Sequence, residues 1–230
     1  MKQEHSEDGE HWLSVSDMMS GLMVIFLFIA ISYMMQVQEE KQQLIEIAVT
    51  YEKTKDLIYQ SLYEEFKNDL PKWNAEIDRE NLAISFKEPD VLFNVGEAEL
   101  KDKFKVILSE FFPRYNQALA AYYKDVEEIR IEGHTSSEWN IKTVSADESY
   151  FLNMALSQDR TRATLEYCLM LPQVAPNRPW LKTIVTANGL SSSKLILLSN
   201  GQEDTVRSRR VEFKVKTNSE KQILRILQKK

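Results

Sequence analysis

The pattern of apolar and polar positions divides the chain into three stretches. In residues 13–35 apolar and small residues run almost without a break, and Asp17 is the single charge. At about 1.5 Å per helical residue this run crosses the roughly 30 Å apolar layer of a bilayer with some tilt. Trp12 and Tyr33 stand near its two ends, where amphipathic rings favour the membrane interface. A cleavable signal peptide would need a basic leader and a small-x-small cleavage site. The residues before Trp12 are acid-rich instead, and ISYMMQVQEE offers no such site. The expectation is an uncleaved, single transmembrane helix over residues 12–35, preceded by a short segment, 1–11.

Residues 36–74 are rich in helix formers, contain no glycine, and have Pro71 as their only proline. Val37, Leu44, Tyr51 and Ile58 recur every seven residues, with Ala48 and Leu62 on the neighbouring row and with Lys55 and Glu65 interrupting. This predicts a helical linker with an apolar seam. Two uses of the seam stay open: a parallel dimer, or an amphipathic helix lying on its own domain.

Beyond Pro71 the period shortens. NLAISF (81–86) alternates as a strand, and VLFNV (91–95) reads as a second extended piece. Residues 99–123 read as a helix with Phe104, Ile107, Leu108, Phe111 and Phe112 on one side, kinked or split at Pro113. VEEIRIEGH (126–134) alternates again and precedes a polar loop, 135–148. Residues 149–171 read as a helix whose apolar positions are Leu152, Ala155, Leu156, Ala163 and Leu165. LKTIVTAN and RRVEFKVK (209–216) read as strands with an irregular connection between them. SEKQILRILQKK reads as a short amphipathic helix over the 218–230 tail, with Ser219 as its N-cap. Strands separated by helices within residues 75–217 predict an α/β or α+β sandwich.

Composition narrows the function. The 230 residues carry a net charge of −6, which argues against a nucleic-acid-binding surface. Cys168 is the single cysteine, so no intramolecular disulfide holds the fold. His5, His11 and His134 are scattered, and no metal site or cofactor is expected. With six glycines, no phosphate-binding loop and no nucleophile–base pair, an enzyme is not expected either.

Asp17 is the exception inside the apolar run. A carboxylate within a membrane segment is costly, and by default it marks a functional site facing a partner or a water path. Ser14, Ser16, Ser20 and Gly21 surround it, which lets another helix approach closely. An interfacial Asp reaching back to the headgroups is the other reading. Lys2, Lys41, Lys53 and Lys55 are too few and too mixed with acids to set the orientation.

Four segments of the C-terminal region resemble the OmpA-like peptidoglycan-binding domain. IRIEGHTS resembles a strand ending in Gly-His-Thr-Asp, and NMALSQDRTRATLEY the Asn-x-x-Leu-Ser-x-x-Arg helix. IVTANGL stands near the next strand, and RSRRVEFKV resembles the Asn-Arg-Arg-Val-Glu last strand. The N-terminal WLSVSDMMSGLMVIFLF resembles the Trp-x-x-x-x-Asp-Met-Met signature of MotB-type subunits of ion-driven motors. One membrane helix with that Asp, a linker and an OmpA-like domain together make the MotB architecture. The acidic N-terminus departs from flagellar members. In overall similarity the linker and the 135–148 loop are closer to the B subunits of Zorya anti-phage defence motors.

The resemblance implies a B-type motor subunit in which Asp17 relays H⁺ or Na⁺, the translocated ion being its only small-molecule partner. A homodimer would sit within a ring of multi-span A-type subunits, in the bacterial inner membrane, with the N-terminus cytoplasmic and residues 36–230 periplasmic. It further implies peptidoglycan binding through Arg160, with Asn153, Leu156 and Thr135 lining the pocket; Arg209 and Arg210 are read mainly as structural. In the family an acidic residue follows Gly-His-Thr and takes the ligand's ammonium. Here that residue is Ser136, and Glu138 and Asp147 are the nearest acids downstream. A passive single-span wall anchor, a flagellar-type stator subunit and an ExbD-like energiser are the competing readings. A passive anchor has no use for Asp17, and an ExbD-like protein would lack the Gly-His-Thr and Arg-Arg-Val-Glu segments.

Overall fold

The structure, a computed structural model, describes residues 7–87, 89–139 and 144–218. The expected C-terminal helix with its Ser219 cap, His5, and part of the 135–148 loop lie outside the described residues. The chain forms two compact units that meet in sequence between Thr50 and Tyr51.

The first unit is helical throughout its described residues, as the N-terminal part of helix α1 (Glu7–Phe66). Among the described residues this is the one helix long and apolar enough to cross a membrane, and none of its apolar window is buried. Consecutive residues such as Met23, Val24, Ile25, Phe26 and Leu27 are all exposed, so every face of the helix is apolar. A helix apolar all round belongs in a membrane or a large core rather than on a water-facing surface.

The second unit starts inside the same helix. Ile58, Leu62 and Phe66, at i, i+4, i+8, are fully buried in its core. The seam therefore serves the domain itself in its later part, while Val37 and Leu44 remain exposed. Among the described residues five strands form one sheet in the order β1-β2-β5-β3-β4: β1 (Ala75–Asp78), β2 (Ala83–Phe86), β3 (Val126–His134), β4 (Val185–Gly189) and β5 (Arg210–Thr217). The β3–β4 pair is parallel and the other pairs are antiparallel. Ile84, Phe213 and Ile131 stand opposite one another across β2, β5 and β3, as do Val215 and Ile129. Their face meets helix α3 (Asp102–Leu119) in an aromatic core, with Phe111 5.0 Å from both Phe86 and Phe213. Pro113 lies within α3 without splitting it. The fold is a mixed α/β sandwich.

Three local expectations give way to tertiary structure. Residues 91–95 are not a strand: helix α2 (Pro89–Leu92) leads into Phe93, which makes an isolated bridge to Leu100. Residues 178–184 form helix α5 (Arg178–Ile184), and only from Val185 does the chain extend. Pro179 suits the first turn of α5, the Trp180 ring lies tilted against Tyr123 with centroids 3.8 Å apart, and Leu181 is buried.

The third concerns helix α4 (Ala146–Met170), capped by Ser145, whose hydroxyl accepts from the Glu148 amide. Its buried face is Ser149, Asn153, Ser157, Thr161, Thr164 and Cys168, not Leu152, Ala155, Leu156, Ala163 and Leu165. Small polar residues are needed because α4 lies almost on the strands. A Cβ on Gly133 would come within 2.9 Å of the Ser157 carbonyl oxygen, and one on Gly189 within 2.3 Å of the Gln158 nitrogen. Gln158 also straps the sheet, donating to the Ala187 carbonyl and accepting from the Gly189 amide. Gly189→Ala is therefore expected to destabilise the domain by about 3 kcal/mol, the upper range for overpacking. A thermal midpoint within a degree of wild type, in detergent, would contradict this close approach.

Candidate functional site

Strand β3 and helix α4 converge on a cavity of about 170 Å³ lined by residues of four segments. Phe93 to Gly96 come from the segment after α2. Thr135, Ser136, Glu138 and Trp139 follow β3. Asn153, Leu156 and Arg160 project from α4, and Arg209 precedes β5. All of Arg160, Asn153, Leu156 and Thr135 meet here. The i, i+3, i+7 spacing of the three helix residues keeps them on one face.

Arg160 is held in place from three sides. Its Nε donates to the Glu97 carbonyl at 2.8 Å, and its Nη2 to the Asn94 carbonyl at 3.0 Å. Its guanidinium carbon lies 4.8 Å from the centre of the Phe93 ring. A rigid, planar cation of this kind suits a carboxylate, which it can pair in a forked geometry. The supporting segment 93–97 was not legible as part of a site. Gly96, at φ 72°, marks the turn there, but a turn glycine does not say what the turn embraces.

Asn153 is buried, and its amide nitrogen donates to the carbonyls of Ser136 and Glu138, both at 3.2 Å. It thus positions the loop after β3. Leu156 is half-buried and forms cavity wall rather than core. Thr135 is 4% exposed, and its hydroxyl has no hydrogen-bond partner among the described residues. A buried hydroxyl left unpaired at a cavity wall calls for a partner from the cavity.

The two consecutive arginines have different tasks. Arg210 is structural: its side chain is buried, Nε lies 2.5 Å from Glu212 Oε1, and Nη1 donates to the carbonyls of Ser208 and Lys194. Arg209 instead lines the cavity, with its Nε anchored on the Thr205 carbonyl at 3.1 Å. Arg209 precedes β5 and Arg210 opens it, a distinction that the repeated arginine conceals in sequence.

Next to the cavity, Glu132, His134 and Glu212 bring possible ligand atoms within 4.8 Å of one another. The carboxylates already face cations. Arg210 and the Ser85 hydroxyl both donate to Glu212 Oε1, and Arg130 Nη1 lies 4.0 Å from Glu132. A divalent ion would have to compete with these groups, and we read the trio as a structural ion network. Burial pushes the Glu212 carboxyl up, but His134 and the Arg210 guanidinium outweigh it and hold it at about 2. His134 Nε2 stands 3.6 Å from Glu212 Oε2.

An unfolded glutamate titrates near 4.3. The stabilisation from Glu212 is therefore complete above about pH 5 and is lost as the pH falls toward the folded value. Glu212→Gln, which strands Arg210, is expected to cost about 3 kcal/mol at neutral pH and to flatten the acid dependence of thermal stability. Parallel melting-temperature-against-pH curves for wild type and variant would remove this role.

Asp17 belongs to the helical unit and is exposed there, one turn before Gly21; the nearby Ser20 hydroxyl donates to the Ser16 carbonyl at 2.8 Å.

No protein-family model matches the chain. It is 51% identical over 222 residues to the Zorya protein ZorB of Escherichia coli, an alignment covering 96% of this chain and 94% of that protein. Among solved structures, a MotB-like protein from Desulfovibrio vulgaris superposes with a TM-score of 0.50 at 21% identity, covering 72% of this chain and 96% of that one. That likeness concerns the fold. The cell wall anchor of the T6SS from Pseudomonas aeruginosa gives a TM-score of 0.45 at 20% identity, over 68% of this chain and 96% of that one.

Proposed function

The chain belongs to the ZorB family of Zorya proteins, and from that membership we propose that it is the wall-anchored B subunit of an ion-driven motor in anti-phage defence. The observation that carries the anchoring half is the cavity in which Arg160, braced by Phe93 and two carbonyls, faces Thr135, Leu156 and Arg209. Peptidoglycan peptides offer carboxylates that a fixed guanidinium pairs well. Detergent-solubilised chain is expected to co-sediment with purified sacculi. Sedimentation no greater than without sacculi would end the anchor reading.

The motor half rests on Asp17. A carboxylate that must enter a low-dielectric contact takes up a proton to do so and gives it up on meeting a polar path. If an A-type ring holds it alternately in these surroundings, each ion transferred biases the next step. The work available is about 2.3 kcal/mol per charge per 100 mV. The same reading places the N-terminus in the cytoplasm and residues 36–230 in the periplasm of a homodimer enclosed by the A-type ring.

Exposed Val37, Leu44, Ile45 and Val49 give the membrane-proximal helix an apolar side for the second copy. Leu44→Cys, combined with Cys168→Ser, is expected to cross-link between copies in cells that also carry the A-type subunit. Monomer alone on a non-reducing gel would count against the dimer.

A further inference from the structure

We propose that the far end of β5 carries an anion site, separate from the Arg160 cavity, that holds a phosphoryl group between Lys55 and Lys214. A second cavity, of about 280 Å³, is lined by Lys55 of α1, Glu80 and Leu82 ahead of β2, Arg130 of β3 and the 214–217 end of β5. It forms where β2 stops. Ala83 opens β2 and pairs with Lys214, and β5 runs on past that pair to Thr217. The two cavities share no lining residue. Lys55, Arg130, Lys214 and Lys216 bring four cations to this one, against the single acid Glu80.

Lys55 interrupts the apolar seam of α1 one turn before Ile58, and the residue is 9% exposed. A buried ammonium is costly unless it is paired. Its partner among the described residues is Glu80, at 3.4 Å, whose side chain is 84% exposed. So long a pair, open to water, compensates little. Lys214 stands directly opposite Arg130 across the β3–β5 pair, where like charges repel. Among the described residues no carboxylate pairs with Lys214. Arg130 has Glu128 at 2.8 Å and Lys216 has Glu127 at 3.7 Å, so the charge left over belongs mainly to the other two lysines. An anion in the cavity offsets both. A phosphoryl group carries more acceptor oxygens and more charge than a carboxylate, so it engages the two lysines and the flanking cations together. Leu82 and Val215 supply apolar wall for an organic remainder.

The test uses the full-length chain in an uncharged, phosphate-free detergent. Inorganic phosphate and glycerophosphoglycerol, the soluble headgroup of an anionic phospholipid, are compared with acetate at matched ionic strength. Calorimetry and melting temperature are read together. At about tenfold above its Kd, a phosphorylated probe is expected to raise the melting temperature by about 4 °C. Tighter binding of the diester assigns the site to a lipid headgroup, and tighter binding of inorganic phosphate assigns it to a soluble phosphate compound; either result supports the proposal. Lys214→Gln is expected to weaken the preferred probe by about tenfold. Its melting temperature without ligand should equal or exceed that of wild type, because the repulsion with Arg130 is gone. Lys55→Met keeps the apolar stem and should weaken binding by a similar factor. A response no larger than that to acetate, or undiminished binding by either variant, would overturn the proposal. So would a ligand-free Lys214→Gln that melts well below wild type, since the lysine would then serve the fold.

Discussion

Asp17→Asn is expected to abolish defence, reducing it to the level of cells without the system, while membrane insertion and co-purification with the A-type subunit persist. Asparagine has nearly the size and polarity of the acid but cannot alternate between charged and neutral states. Any role of Asp17 as a packing or hydrogen-bonding residue would survive the exchange in large part; a role that requires a proton to come and go would not. The measurement is phage plating efficiency, read together with the amount of complex recovered from membranes. Wild-type protection by the asparagine variant would remove ion relay and leave a passive anchor. Loss of protection together with loss of the complex would assign Asp17 to assembly. A single membrane carboxylate among Ser16, Ser20 and Gly21 is the feature that separates these outcomes.

Arg160→Ala is expected to weaken binding to sacculi by about a hundredfold or more, equivalent to roughly 3 kcal/mol for the loss of a forked, charge-assisted contact. The side chain serves two purposes at once. It presents a cation to the cavity, and it donates to the carbonyls of Asn94 and Glu97, which shapes the opposite wall. Arg160→Lys keeps the charge without the planar fork and the ring stacking on Phe93, and should fall between wild type and alanine. Sedimentation with purified sacculi, at matched ionic strength and with melting temperature as a control for folding, distinguishes the series. Wild-type binding by a folded alanine variant would move recognition away from this cavity.

The residues of the cavity were largely legible before the fold was. Helical spacing puts Asn153, Leu156 and Arg160 on one face, but it was the resemblance to the OmpA-like domain that picked out Arg160 and joined Thr135, just after β3, to that face. The 93–97 wall was not legible, because VLFNV has the apolar content of a strand. What turns it is Pro89 before it, Gly96 after it and the demand of Arg160 for carbonyl partners. Strand β1, AEID, also escaped notice: its four residues alternate too weakly to announce a strand, and it exists because it pairs with β2. In α4 the apolar positions misled, because the helix approaches Gly133 and Gly189 too closely for leucine to lie between.

By itself the sequence determined what depends on neighbours along the chain. It set the bilayer-length apolar run with its lone acid, the alternation of β3 and β5, and the aromatic face of α3, since local period and residue type decide these. Only the tertiary structure decided which surfaces those elements turn toward one another. It buried Ile58, Leu62 and Phe66 in the domain, gave α4 a polar buried face, divided Arg209 from Arg210 and brought Glu138 to the cavity wall. Each of these depends on contacts between residues distant in sequence, and such contacts form only when the whole sheet fixes the spacing between its layers.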